Sequence, residues 1–164
     1  MKTKNSPNKN TVQTPRSGAA RAHGDGSPWA TLRRLLAARG DRLTPQRMAI
    51  YDAVVGRTTH PSVETVFGEV QQRFPGLSRA TVYSTLSLFS DLGLIQEVSG
   101  PVRRYDGQTR RHFNLVCERC GNVVDVFDGR LDTVERTVAR EARFEVKKTL
   151  FELHGVCSRC QRVS

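Results

Sequence analysis

The chain has 164 residues, 26 Lys and Arg against 16 Asp and Glu, a formal net charge of +10 and a hydrophobic content of 37%. That length admits one or two small domains, and the charge selects polyanions as partners, nucleic acid before an anionic membrane surface. No apolar run is long enough to span a membrane, no basic amphipathic helix stands out for a membrane surface, and residues 1–7 lead into no apolar secretory core, so no membrane partner and a cytoplasmic location are expected. No Ser-His-Asp set, P-loop or dinucleotide fingerprint occurs, so neither an enzyme nor a small organic substrate is expected.

Residues 1–28 are rich in Lys, Asn, Thr, Ser, Gly and Pro, with Lys2, Lys4, Lys9, Arg16 and Arg21 opposing only Asp25. This reads as a disordered basic arm, either attracted to phosphates or simply a solvated tail. Leu32, Leu35 and Leu36 recur at helical spacing and predict a first helix over 29–39, ended at Gly40. Thr44 followed by Pro45 is a helix start, with Thr as N-cap and Pro at the first helical position. That second helix is expected to run to about residue 55, with Met48, Tyr51 and Val55 on one face and Ile50 and Val54 beside them.

Ser62 caps a third helix in which Val63, Val66, Phe67, Val70 and Phe74 keep a helical period, stopped by Pro75-Gly76. Leu77 is the turn, and Ser78 caps a fourth helix to about residue 92, closed by Gly93. Two capped helices separated by a short turn make a helix-turn-helix candidate. On the fourth helix Val82, Leu86 and Phe89 form a core face. The other face carries Arg79, Tyr83, Ser84 and Ser87, with Ala80 small between them. A cation, a phenol and hydroxyls without bulky aliphatics suit a major groove; an ordinary solvated face is the alternative. Residues 94–98 and 102–106 read as strands joined by Ser99-Gly100-Pro101, a hairpin that turns the helices into a winged helix over 29–107. On that wing Arg103 and Arg104 are placed to touch phosphates.

Residues 108–111 are a polar hinge. Strands are expected over 112–117 and 122–127, a helix over about 130–142 marked by Leu131, Val134 and Val138, and one long strand over 144–156. The fold class is therefore α+β: a winged helix-turn-helix domain followed by a small α/β domain over 112–164. So small a domain needs help to be stable, and zinc and dimerisation would both supply it.

The cysteines decide how that second domain is held. Cys117 and Cys120 form one Cys-x-x-Cys pair, Cys157 and Cys160 another, and no other cysteine occurs. Two such pairs supply four thiolates for a closed tetrahedral structural Zn²⁺ site. Two short disulfides or a thiol redox pair are the rival readings; the first needs an oxidising compartment, and thiol titration with and without a chelator separates the second.

Arg42-Leu-Thr-Pro-Gln-Arg47, His60-Pro-Ser62, Ala80-Thr-Val-Tyr83, Arg104-Tyr-Asp106 and the two cysteine pairs together resemble the ferric uptake regulator (Fur) family over roughly residues 30–162. The resemblance implies a homodimeric repressor on inverted-repeat operator DNA, with Tyr83 contacting a base, Arg47 and the fourth helix on the DNA side, and zinc on Cys117, Cys120, Cys157 and Cys160. It also implies a regulatory metal site of His60, Asp106, His112, Asn114 and Asp125. The two Asp residues make it similar to the peroxide-stress regulator (PerR) branch, in which metal-catalysed oxidation of a ligand histidine releases DNA. The sequence departs from the pattern at Asn114, where the family has the second His of a His-x-His, and at Thr149, where iron-responsive members carry another His. Two imidazoles, two carboxylates and an amide oxygen are a harder set than zinc prefers, so Fe²⁺ or Mn²⁺ is expected. The second reading is a constitutive or differently triggered DNA binder whose regulatory site is impaired by Asn114. His154 is expected to be structural.

Overall fold

In a computed structural model, residues 28–108 and 110–162 are described. The basic arm expected over 1–28 lies outside them apart from Pro28, which opens the first helix. The order is α1 (Pro28–Ala38), α2 (Pro45–Asp52), α3 (Val63–Gln71), α4 (Arg79–Asp91), β1 (Gln96–Val98), β2 (Arg104–Asp106), β3 (Phe113–Cys117), β4 (Val123–Val126), α5 (Leu131–Glu141), β5 (Glu152–Gly155) and α6 (Ser158–Gln161).

Capping fixes three of the helix starts. Thr44 Oγ1 accepts from Arg47 N at 3.2 Å, Ser62 Oγ from Thr65 N at 3.2 Å and Ser78 Oγ from Thr81 N at 3.1 Å. Each hydroxyl satisfies an amide that the helix leaves unpaired, an effect of about 1 kcal/mol. The four helices close on one core: Leu32, Leu36, Ile50, Val54, Val66, Val82, Leu86 and Phe89 are fully buried, and Ile95 and Tyr105 from the hairpin join them. Trp29 and Phe89 each meet Tyr51 edge-on, with ring centroids 5.6 and 5.5 Å away. The α2 face is rotated from the expected one. Ala49, Ile50 and Tyr51 are buried while Met48 is exposed, and the helix ends at Asp52, short of Val55, because α2 sits against both α3 and α4 and buries the side between them.

β1 and β2 form the antiparallel wing, Glu97 opposite Tyr105. Its far strand is bound back to the helices. Ser62 bridges Arg104, Val55 bridges Gly107, and Tyr105 N donates to Pro61 O at 3.0 Å. Gly107 permits that approach: a Cβ there would lie 2.6 Å from Val54 O and 2.7 Å from Val55 Cα.

The second sheet has the order β4-β3-β5, with β3–β4 antiparallel and β3–β5 parallel. The long final strand expected over 144–156 is corrected to β5 alone. β3 begins at Phe113 and its parallel pairing starts where Asn114 N donates to Phe151 O at 2.8 Å, so the chain before Phe151 runs past the end of β3 with no strand beside it. The sequence also concealed α6, a four-residue helix capped by Cys157. Across the outer sheet face Leu115, Val124 and Leu153 stand in register and exposed; Val134 and Val138 on α5 are exposed too.

Candidate metal centres

The Cys-x-x-Cys segments approach each other because β3 and β5 run parallel and end together, Cys117 opposite Gly155. Gly121, at φ 65°, lets its amide turn back to Cys117 O at 2.8 Å. The four sulfurs lie within 4.8 Å of one another, Cys120 and Cys157 at 3.8 Å, with no disulfide. Backbone amides of Cys157 and Cys120 hold the Cys117 thiol down at about 6. The Cys160 amide lowers Cys157, while contacts with the Cys157 and Cys120 sulfurs push Cys160 up to about 12. Amides aimed at sulfur favour thiolate, and repulsion among thiolates keeps a proton in the cluster; a divalent cation removes that conflict. The four thiols therefore fit Zn²⁺.

The second cluster is assembled from distant segments. His60 precedes α3, Asp106 ends β2, His112 precedes β3 and Asp125 lies on β4. All are buried, with side-chain exposures of 1%, 0%, 3% and 6%. His60 Nε2 lies 2.8 Å from Asp125 Oδ1 and 3.9 Å from Asp106 Oδ1; His112 Nε2 lies 3.0 Å from Asp106 Oδ2 and 3.7 Å from Asp125 Oδ1. These spacings admit ion pairs, yet His60 Nε2, His112 Nε2, Asp106 Oδ2 and both Asp125 oxygens make no aligned hydrogen bond. One donor atom each of His60, His112 and Asp125 lies within 4.8 Å of the other two, and Asp106 joins them through its contacts with the two imidazoles. Adjacent ligands of an octahedral ion with ~2.1 Å bonds stand ~3.0 Å apart, which is the separation of the two shortest pairs.

Outer contacts orient the ligands. The His112 Nδ1–H donates to Arg110 O at 2.7 Å and leaves Nε2 for the centre. Asp106 Oδ1 accepts from Gln108 N at 2.7 Å, leaving Oδ2 free to point inward. Burial pulls the His112 imidazolium down, but Asp106, the Arg110 carbonyl and Asp125 outweigh it and raise the group to about 9. His60 adopts φ 43°, a left-handed conformation that is uncommon for a residue with a Cβ and disfavoured before proline.

Asn114 sits opposite Asp125 on β3, two residues from His112, fully buried with an unpartnered Oδ1. The amide thus lies on the ligand face of the sheet. At Thr149, where the sequence departs from the iron-responsive pattern, the hydroxyl donates to Glu135, whose other oxygen pairs with Arg111 Nη2 at 2.8 Å, and Arg111 Nη1 reaches Asp132 at 3.2 Å. A guanidinium is the cation of that cluster. His154, itself exposed, pairs with Glu152 at 3.0 Å on the face of β5 opposite Leu153 and belongs to neither cluster.

On α4, Arg79, Tyr83 and Ser84 are exposed and Ser87 is half-buried. Arg79 Nε pairs with Glu64 at 2.9 Å and covers the Phe67 ring at 4.5 Å. Arg103 Nη1 donates to the Tyr83 hydroxyl at 2.6 Å, joining wing to helix. Arg47 is held by Asp41 at 3.1 Å and by Arg42 O. Arg104, expected to face phosphate alongside Arg103, turns inward instead to two backbone carbonyls.

A model of the ferric uptake regulator family matches residues 38–154. The chain belongs to the ferric uptake regulator family. It is similar to the peroxide-responsive repressor PerR of Staphylococcus epidermidis, 34% identical over 124 residues that make up 74% of this chain and 83% of that protein. In fold it matches the Helicobacter pylori ferric uptake regulator Fur, a structure described with three functional metal-binding sites, at TM-score 0.67 and 20% identity over 83% of this chain and 95% of that one. A zinc-bound manganese uptake regulator matches at TM-score 0.53 and 29% identity, over 77% of this chain and 98% of that one. Among the described residues no helix is long and apolar enough to cross a membrane.

Proposed function

We propose that this member of the ferric uptake regulator family is a metal-dependent transcriptional repressor that binds operator DNA as a homodimer. Its regulatory ion, Fe²⁺ or Mn²⁺, would be held by His60, Asp106, His112, Asp125 and the Asn114 amide. The observation that carries this reading is the close grouping of His60, His112 and Asp125, with Asp106 3.0 Å from His112, whose facing atoms have no aligned hydrogen bond. Burying carboxylates without compensation costs several kcal/mol each, and a divalent cation supplies that compensation. The mixed nitrogen and oxygen set is harder than the four thiolates of Cys117, Cys120, Cys157 and Cys160, so the two sites sort their metals by chemistry: zinc on sulfur, iron or manganese on the other.

The ligands come from both sides of the hinge at 108–111. His60 and Asp106 travel with α3, α4 and the wing; His112, Asn114 and Asp125 travel with the three-stranded sheet. An ion shared between the halves favours the one hinge angle at which all ligands meet, and it shifts the population only by its preference for that state. In the dimer that angle sets the spacing of the two α4 helices against successive major grooves. Arg79, Tyr83 and Ser84 are the exposed face for bases, with Ser87 at its edge, and Arg47 stabilises the turn before α2 through Asp41 and Arg42 O. The exposed row Leu115, Val124 and Leu153, with Val134 and Val138, supports residues 112–164 as the surface that a second copy covers.

Peroxide sensing is the finer reading, supported by likeness to the PerR relative and by the two Asp ligands. Bound Fe²⁺ would supply an electron to peroxide at this centre. His60 and His112 are the oxidisable side chains in reach, and damage to either removes a bridge between the halves.

The experiment is operator binding by zinc-loaded protein, with DNA from its own promoter region, during a Mn²⁺ titration. Affinity is expected to rise steeply with metal for the native chain and to stay flat for His60→Ala with zinc retained. Tight binding indifferent to metal in both proteins would instead establish the constitutive binder. Exposure to Fe²⁺ and peroxide should add oxygen to the His60 or His112 peptide, read by mass spectrometry.

A further inference from the structure

Arg104 lies on the wing strand β2, two residues before the Asp106 ligand, yet its side chain does not face solvent as a DNA-contacting arginine would. It is half-buried. Its Nε donates to Gly121 O at 2.7 Å and its Nη1 to His60 O at 3.1 Å. No carboxylate pairs with it among the described residues, so its charge is spent on these two carbonyls. Hydrogen bonds from a cation to carbonyl oxygen are stronger than neutral ones, and a planar guanidinium fixes the direction of both at once.

The two carbonyls belong to different metal sites. Gly121 follows Cys120 and forms the turn that presents the first cysteine pair, at φ 65°. His60 is a ligand of the other cluster, at a left-handed φ of 43° before Pro61. A strained conformation persists only where its surroundings over-determine it. On the backbone at and just after His60 the contacts come from β2: Arg104 on its carbonyl, Tyr105 N on Pro61 O at 3.0 Å, and the bridge between Ser62 and Arg104. Of these, only Arg104 also reaches across to the cysteine turn.

We infer that Arg104 is a positioning residue for the regulatory metal: it fixes the His60 ligand by tying its backbone to the zinc-held turn at Gly121. This rests on the regulatory-site reading above. The staple at Cys117, Cys120, Cys157 and Cys160 then does more than hold the small sheet together. It is the fixed point from which one imidazole of the hinge site is aimed.

The test is Mn²⁺ binding to the zinc-loaded full-length chain, with free Mn²⁺ followed by electron paramagnetic resonance, for the native protein, Arg104→Met, Arg104→Lys, His60→Ala and the Arg104→Met/His60→Ala double variant. Arg104→Met is expected to weaken Mn²⁺ binding by about tenfold to hundredfold, the effect usual for partners that orient a ligand, with zinc content unchanged. Arg104→Lys, which keeps the charge but not the fork, should recover part of the loss, and it serves alone if the Met variant does not fold. Because Arg104 acts through His60, the double variant should bind no more weakly than His60→Ala. Native affinity in both Arg104 variants, or full additivity in the double variant, would overturn the inference. So would a loss of zinc in step with the loss of Mn²⁺. If the native chain binds no Mn²⁺, or His60→Ala binds it as tightly, the regulatory-site reading falls and the inference with it.

Discussion

The two metal centres are built in opposite ways. The cysteine cluster is local: each half is a three-bond turn set by a Cys-x-x-Cys spacing, one closed by Gly121 and the other by the first turn of α6, and two parallel strands bring the halves together. The His and Asp cluster is non-local. Its residues lie on four segments between His60 and Asp125, on both sides of the proposed hinge at 108–111, and one of them is held in a left-handed conformation. A site made of local turns can hold its geometry in one state of the molecule or another. A site made from both sides of a hinge exists only when the hinge is at one angle, which is what a sensor requires and a staple does not.

Removing a cysteine should have the largest effect. Structural zinc contributes about 10–16 kcal/mol in small zinc-bound peptides, so Cys120→Ser is expected to lose bound zinc and unfold the sheet of β3, β4 and β5. Metal analysis and the far-ultraviolet circular dichroism check this, and a folded, zinc-free variant would show that the sheet stands alone.

His60→Ala is next. It should keep its zinc and its melting behaviour while Mn²⁺ binding weakens by more than the ~10–100-fold typical of an outer partner; calorimetric titration measures it. Both variants together separate staple from sensor.

Gly107→Ala acts on the contact that seats the hinge end of β2 against the chain after α2. A Cβ 2.6 Å from Val54 O forces a shift, with a cost of about 1–3 kcal/mol and a lower melting temperature. An unchanged melting temperature would mean that β2 can move away at no cost, and that the hinge is looser than drawn.

The smallest expected change sharpens the sensor rather than damaging it. Asn114→His replaces a weak amide donor with an imidazole on the ligand face. It should tighten Mn²⁺ binding by about tenfold, or ~1.4 kcal/mol, and tighten Zn²⁺ binding at that centre more, since imidazole suits zinc. Equal affinities before and after would place residue 114 outside the coordination sphere.

The difference in construction also governs what could be read in the sequence. The cysteine site was legible because its geometry is encoded in spacing, and the helix starts at Thr44, Ser62 and Ser78 because capping is a local rule. The core face of α4 followed from periodicity. The face of α2 did not, because two neighbouring helices decide which side of it is buried. The His and Asp site carried no spacing signal; only resemblance to a family brought its residues together, and the physical signature, a set of buried donors without aligned partners, exists only in three dimensions. Three further features were hidden for the same reason. β5 is short because β3 begins only at Phe113, which alternation in residues 144–151 cannot reveal. Arg111, at the end of the segment expected to be a hinge, neutralises Glu135 and Asp132 on α5. Arg104 sits on a basic wing and looks like a phosphate contact until its two carbonyl acceptors are seen.

The most direct test of the account is a crystal of the zinc-loaded protein grown with Mn²⁺, with anomalous scattering recorded at both metal edges. The account predicts zinc at the four sulfurs of Cys117, Cys120, Cys157 and Cys160, and manganese at a separate position bonded to His60 Nε2, His112 Nε2, Asp106 and Asp125. A manganese peak found only on surface carboxylates, with the His and Asp side chains pairing among themselves, would contradict it.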